Sequence, residues 1–147
     1  MSARVSMEVT VVSAYVCARE RKPASMENKD VTFRPFPDAS LPEMTVREAA
    51  SHLAEPDTTA LLLDVREPYE YMPRHAQGAV NIPMSEFVAR IAEVPQDREV
   101  LVICEHGSRS QDVVRYLMRQ GYTQAINVDG GTEMWESAGL PMEYPGK

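Results

Sequence analysis

The chain has 147 residues, a formal net charge of −7 and two cysteines, Cys17 and Cys104. That length suits one domain with an appended segment, and 44% hydrophobic with 25% charged residues describes a globular chain able to bury a core. Two cysteines are too few for a disulfide framework or a zinc-finger set, and the acidic balance argues against non-specific binding to phosphate backbones. The charge is uneven: residues 1–41 carry six basic and five acidic side chains, residues 42–147 nine and seventeen. No apolar run approaches the roughly 20 residues of a membrane helix. The expectation is therefore a soluble, cytoplasmic protein without nucleic-acid or membrane partners.

Along the chain, Val9–Ala18 is a ten-residue apolar stretch with the outline of a short signal-peptide core, Val16-Cys17-Ala18 resembling a cleavage site. Thr10 and Ser13 within it and Glu8 before it favour an accessory strand or a loose extension. The polar, proline-bearing run Arg19 to Pro42 reads as a linker. Residues 1–41 are accordingly taken as an N-terminal extension and 42–147 as the folded domain. Thr45-Val46-Arg47-Glu48 has the form of a capping box, and Val46, Ala49, Ala50 and Leu53 supply an apolar helical stripe. Ala60–Val65 and Ala79–Ile82 read as strands, the first without alternation, as in a strand buried on both faces. A helix opening near Ser85 is expected to carry Phe87, Val88, Ile91 and Ala92 to the core. Glu99–Ile103 is the clearest strand. After Cys104 and a short loop comes a helix with Val113/Leu117 and Val114/Met118 at four-residue spacing, closed by Gly121. Ala125–Val128 is a further strand, followed by Asp129-Gly130-Gly131 and a short helix holding Trp135, which reads as a core anchor.

Alternation of strand and helix predicts an α/β fold, a parallel sheet of about five strands with helices on both faces. The reactive crevice of such a sheet lies beyond the carboxyl ends of its strands, where Cys104 stands. The Gly107-containing loop feeds straight into a helix N-terminus. Its backbone N–H groups can form an anion-binding nest, the helix dipole adds positive charge, and Arg109 adds more. All three favour thiolate over thiol and could hold an anion attached to the sulfur.

Here the residues carry a resemblance. Cys104-Glu105-His106-Gly107-Ser108-Arg109-Ser110 resembles the C-x-x-G-x-R-S loop of rhodanese-like sulfurtransferases. Leu63-Asp64-Val65-Arg66-Glu67 is similar to that family's D-V-R-E segment, and His75-Ala76-Gln77-Gly78-Ala79-Val80-Asn81-Ile82-Pro83 to its H-x-x-G-A-x-N-I-P segment. Asp129-Gly130-Gly131, Trp135 and Gly139-Leu140-Pro141 fit its closing motif. The four motifs cover about residues 44–143 and leave 1–41 outside. The resemblance implies a single rhodanese-like domain in which Cys104 accepts a sulfur from thiosulfate or a persulfide donor and passes it to a thiol, a protein thiol included, or to cyanide in an assay. It also implies that loop residues Glu105 to Ser110 bind the persulfide, with Arg109 supplying charge for the donor. Asp64, Arg66, Glu70 and His75 read as scaffold hydrogen-bonding groups, and His106 as either a tuning group or a solvent-facing one. Cys17 reads as a bystander. No cofactor is implied, and His52, His75 and His106 form no metal-ligand spacing.

Two other readings stand beside this one. Rhodanese-like domains also serve as non-catalytic binding or regulatory modules, although those usually lack the cysteine that is retained here. Cysteine phosphatases and related arsenate reductases use C-x5-R, whereas four residues separate Cys104 from Arg109, a tighter loop that suits one sulfur atom better than a tetrahedral oxyanion. Two residues depart from the family's pattern. Glu105 puts a carboxylate directly after the nucleophile, where it would oppose thiolate formation and a dianionic donor unless it points to solvent. Arg74 stands before His75, where the family often has glycine.

Overall fold

A computed structural model of the chain describes residues 41–146. The readings placed on Val9–Ala18, on Cys17 and on the chain up to residue 40 lie outside the described residues.

Seven strands and five α-helices follow one another in this span. They are β1 (Glu43–Thr45), α1 (Val46–Leu53), β2 (Leu61–Asp64), α2 (Pro68–Tyr71), β3 (His75–Ala76), β4 (Val80–Asn81), α3 (Phe87–Arg90), β5 (Val100–Ile103), α4 (Ser108–Arg119), β6 (Ala125–Asp129), α5 (Gly131–Ser137) and β7 (Met142–Glu143). Five of the strands form one parallel sheet in the order β1-β6-β5-β2-β4, while β3 and β7 pair antiparallel as a separate two-stranded ribbon. The expected α/β architecture is thus observed.

Alternation along β5 shows how both faces of the sheet are covered. Val100 and Val102, with Cys104 beyond them, enter one cluster with Val113, Val114 and Leu117 of α4 and with Phe87 of α3. Leu101 and Ile103 enter the other, with Val46 and Ala49 of α1 and Trp135 of α5. A strand clad on both faces has no polar side to display, which is why Val100–Ile103 reads as a continuous apolar run. Central β5 also sets the position of the cysteine: the hydrogen-bonded register with β2 runs to Asp64 opposite Ile103, so Cys104 emerges level with the Val65-Arg66 turn.

The capping box on α1 forms as expected. Glu48 N donates to Thr45 Oγ1 at 3.1 Å and Thr45 N to Glu48 Oε1 at 2.9 Å. Gly121, at φ +95°, follows the end of α4. The segment after Ser85 differs from expectation. It is a short α3 flanked by 3-10 turns at Met84–Glu86 and Ile91–Glu93. Phe87 and Val94 are buried and Ile91 packs at the core edge, but Val88 is 68% exposed and Ala92 faces solvent. Changes of winding in so short a segment break the single stripe that a regular helix would have shown. The strands β1, β3 and β7 have only two or three residues, too few for a period to register.

His52, in the last turn of α1, ties that helix to the start of β5 through its hydrogen bond to the Glu99 carboxylate; Glu55 lies 3.5 Å from its other ring nitrogen. The Glu99 hydrogen bond raises the His52 pKa above its ordinary value, burial opposing this and the Glu99 and Glu55 charges reinforcing it. A raised folded-state pKa contributes stability that is fully present below the ordinary imidazole value of about 6.5 and lost as pH rises through the folded value. His52→Gln should therefore lower the melting temperature more at about pH 5.5 than at about pH 9; thermal denaturation at the two values checks this.

Candidate active site

The loop between β5 and α4 is wound around the Cys104 sulfur. Gly107 N donates to Sγ at 3.1 Å and Ser110 N at 3.3 Å, and the Ser110 hydroxyl lies 3.4 Å away. Gly107 adopts φ +105°, and a Cβ there would stand 3.1 Å from the backbone nitrogen of Gly130. The turn that aims these N–H groups at sulfur therefore needs glycine both for its φ and for its close neighbour. Cys104 is only 1% exposed and is the floor of this cradle. Of the loop residues expected to bind the sulfur, Gly107 and Ser110 touch it directly. Ser108 opens α4, while His106 stands at the surface with its Nδ1 3.3 Å from Glu133.

The Glu105 carboxylate, expected either to oppose the thiolate or to point to solvent, is turned into an ion-pair network. Arg66 Nη1 donates to Glu105 Oε1 at 3.0 Å and Arg74 Nη2 to Oε2 at 2.7 Å. Arg66 is itself 1% exposed, and its Nε and Nη2 grip both oxygens of buried Asp64 at 3.0–3.1 Å. Its Nη2 also donates to the Arg74 carbonyl at 2.8 Å. Asn81 of β4 closes the turn, its amide donating to the carbonyls of Asp64 and Arg66 at 2.9 Å each. His75 lies in the β3–β7 ribbon, donating from Nδ1 to the Tyr71 carbonyl at 2.9 Å and facing Glu143 at 2.8 Å.

Arg109 is paired across the mouth with Glu70 of α2, at 3.0 and 3.3 Å. Burial alone would push the Glu70 carboxyl up; hydrogen bonds from Arg109 and the Glu67 amide, with the charges of Arg109 and Arg66, hold it below the usual carboxylate range. The Glu70 hydrogen bond in turn raises the Arg109 pKa against the opposing effect of burial, helped by the charges of Glu70, Cys104 and Tyr69. A cleft of about 500 Å³ lies beside the loop, lined by Arg66, Glu70, Pro73, Arg74, Glu105 and Tyr144. Among the described residues no group of His, Cys, Asp or Glu side chains is arranged to hold a metal ion.

Residues 45–138 match the family model of the rhodanese-like domain. The chain belongs to the rhodanese-like domain family. It is 39% identical over 85 residues to a sulfurtransferase of Allochromatium vinosum, covering 58% of this chain and 79% of that one. It is 38% identical over 84 residues to the thiosulfate sulfurtransferase GlpE of Vibrio cholerae, covering 57% and 79%. Among solved structures, a rhodanese-related protein of Thermoplasma volcanium superposes with a TM-score of 0.61 at 25% identity, over 69% of this chain and 97% of that one.

Besides the Arg66–Glu105 ion pair, three contacts of this rhodanese-like domain were not read from its sequence. Two are the Glu70–Arg109 and Arg74–Glu105 ion pairs, whose partners lie 39 and 31 residues apart. A helix signal for the first was present, since Glu67-Pro68-Tyr69-Glu70 is a capping box with proline at the first helical position. The third is the docking of α5 on the cysteine loop: Thr132 N donates to the Cys104 carbonyl at 2.8 Å and Glu133 N to the Glu105 carbonyl at 3.0 Å. Gly131 lets the two backbones meet. A Cβ on it would fall 2.3 Å from the Glu105 carbonyl oxygen and 2.6 Å from that of Cys104. Gly131→Ala should therefore destabilise the domain by about 1–3 kcal/mol and displace the loop. Urea denaturation and the near-ultraviolet signal of Trp135 measure the two effects.

Proposed function

We propose that this domain is a sulfurtransferase that carries sulfane sulfur on Cys104. The convergence of the Gly107 and Ser110 amides on Sγ, at 3.1 and 3.3 Å, is the observation that carries this reading. Such donors stabilise a sulfur anion, first as thiolate and then as persulfide, in a site largely closed to water. The relatives named as sulfurtransferases support the same chemistry.

In the first half-reaction the Cys104 thiolate attacks the outer sulfur of thiosulfate or of a persulfide. A new S–S bond forms to Cys104. The donor's own S–S bond breaks, and its electron pair leaves with sulfite or with the donor thiolate. In the second half-reaction a nucleophile, cyanide in an assay or a thiolate in the cell, attacks the outer sulfur and Cys104 leaves as thiolate. This is covalent catalysis with a ping-pong signature. Arg109 contributes positive charge at the mouth, moderated by Glu70, and Ser110 supplies a hydroxyl beside the sulfur. Near-complete burial of Cys104 favours a donor that presents one terminal atom, and the four-residue spacing to Arg109 leaves less room than a phosphate ester needs.

Intact-mass analysis after incubation with thiosulfate, or with a low-molecular-weight persulfide, should show a gain of about 32 Da that is absent in Cys104→Ser and discharged by cyanide. Failure of every such donor to load Cys104 would move the domain to the binding-module reading. Hydrolysis of a phosphate ester without sulfur loading would move it to the phosphatase reading.

A further inference from the structure

The two residues at which this chain departs from its family's pattern meet each other. Glu105 follows the nucleophile, and Arg74 occupies the position before His75; their side chains are 2.7 Å apart. The charges around them matter because Asp64 and Arg66 are buried and Glu105 and Arg74 are only 20% and 29% exposed. Asp64 and Arg66 form one pair, 0% and 1% exposed. Glu105 then adds a second carboxylate on the same guanidinium at 3.0 Å. Without another cation the group carries a net negative charge centred on the residue that directly follows Cys104, which partial burial makes costly and which opposes a thiolate. Arg74 is that cation.

We propose that Arg74 is a positioning residue for Cys104: it clamps the Glu105 carboxylate beside Arg66, so that the reactive sulfur and an incoming anionic donor meet a balanced local charge. On its other side Arg74 Nη1 lies 3.5 Å from the carboxylate of Glu136 in α5, an ion-pair distance without a hydrogen bond; Glu136 is 38% exposed, so solvent screens its charge. Burial opposes its charge and the Glu105 hydrogen bond restores it, with the charges of Glu105, Glu136 and Tyr144 adding to this. The remaining charged neighbours lie elsewhere around the loop. Asp64 acts on Arg66, Glu70 holds Arg109 across the mouth, Asp129 lies at the end of β6 near Gly107, and His106 with Glu133 is at the surface. Among the described residues the cations that pair with Glu105 are Arg66, already engaged by Asp64, and Arg74, so the balance falls to Arg74.

The inference rests on Cys104 being the reactive sulfur, and its test does not need sulfur transfer. The thiolate absorbance of Cys104, taken as the difference from the matching Cys104→Ser protein, is titrated against pH. Arg74→Met should move the midpoint up by about one unit, a tenfold loss of thiolate below it. Arg74→Met with Glu105→Gln should return it to the parent value, and Arg74→Lys should leave it in place. Glu105→Gln alone should move it down, an arm that holds even where Arg74→Met does not fold. Loading by dianionic thiosulfate at neutral pH should fall about tenfold in Arg74→Met, and loading by a singly charged persulfide should fall less. An unmoved midpoint in Arg74→Met or Glu105→Gln, or a double variant that stays shifted, overturns the proposal. If the midpoints move as stated while no donor loads any of the proteins, the positioning role stands and the sulfurtransferase reading fails.

Discussion

A guanidinium can be buried only where its donors are met, and Arg66 is met on every side. It holds both oxygens of Asp64, one oxygen of Glu105 and the carbonyl of Arg74, at 2.8–3.1 Å. These partners come from the end of β2, from the loop after β5 and from the approach to β3. Arg66 therefore joins three separate stretches of chain at the carboxyl edge of the sheet, where Cys104 emerges. Removing Asp64 would leave the buried guanidinium without its buried counter-charge, which costs several times more than an exposed ion pair is worth. The loop that holds the sulfur is anchored by this network as well as by its own turns.

The other anchor is backbone against backbone. The N-terminus of α5 donates to the carbonyls of Cys104 and Glu105, and Gly131 permits the approach. The cysteine loop is thus held from one side by charge and from the other by amide hydrogen bonds, while its own amides remain turned toward Sγ. That division leaves Gly107 and Ser110 free to serve the sulfur. It also explains how a closing Gly-Gly motif far along the chain bears on the setting of Cys104: it brings a helix end within hydrogen-bonding distance of the cysteine's own carbonyl.

Glu105 shows how a local reading of charge can mislead. Directly after Cys104, a carboxylate has the wrong sign for an anion site, and nothing in its immediate sequence neutralises it. Its two cationic partners, Arg66 and Arg74, lie 39 and 31 residues away. Arg109 shows the converse. Its position in the loop suggested a free cation for the donor, but Glu70 across the cleft mouth holds part of that charge. Both pairings arise because β2 lies beside β5 and delivers segment 64–74 to the cysteine loop.

The sequence by itself determined the elements whose signals are local. The capping box on α1, the doubly buried strands β2, β5 and β6, the long α4 and the placing of Cys104 between β5 and α4 all follow from periodicity, caps and glycines within a few residues. So did the α/β class, because alternating strands and helices leave few other ways to cover a parallel sheet. Only the tertiary structure decided which face of the irregular segment around α3 is buried, how the short β1, β3 and β7 pair, and where the Glu105 and Arg109 charges go. Those outcomes depend on partners brought close by strand order. The net charge of −7 is one number for the whole chain, but the charge around Glu105 is set by Arg66 and Arg74, 39 and 31 residues away, which only the fold brings to it.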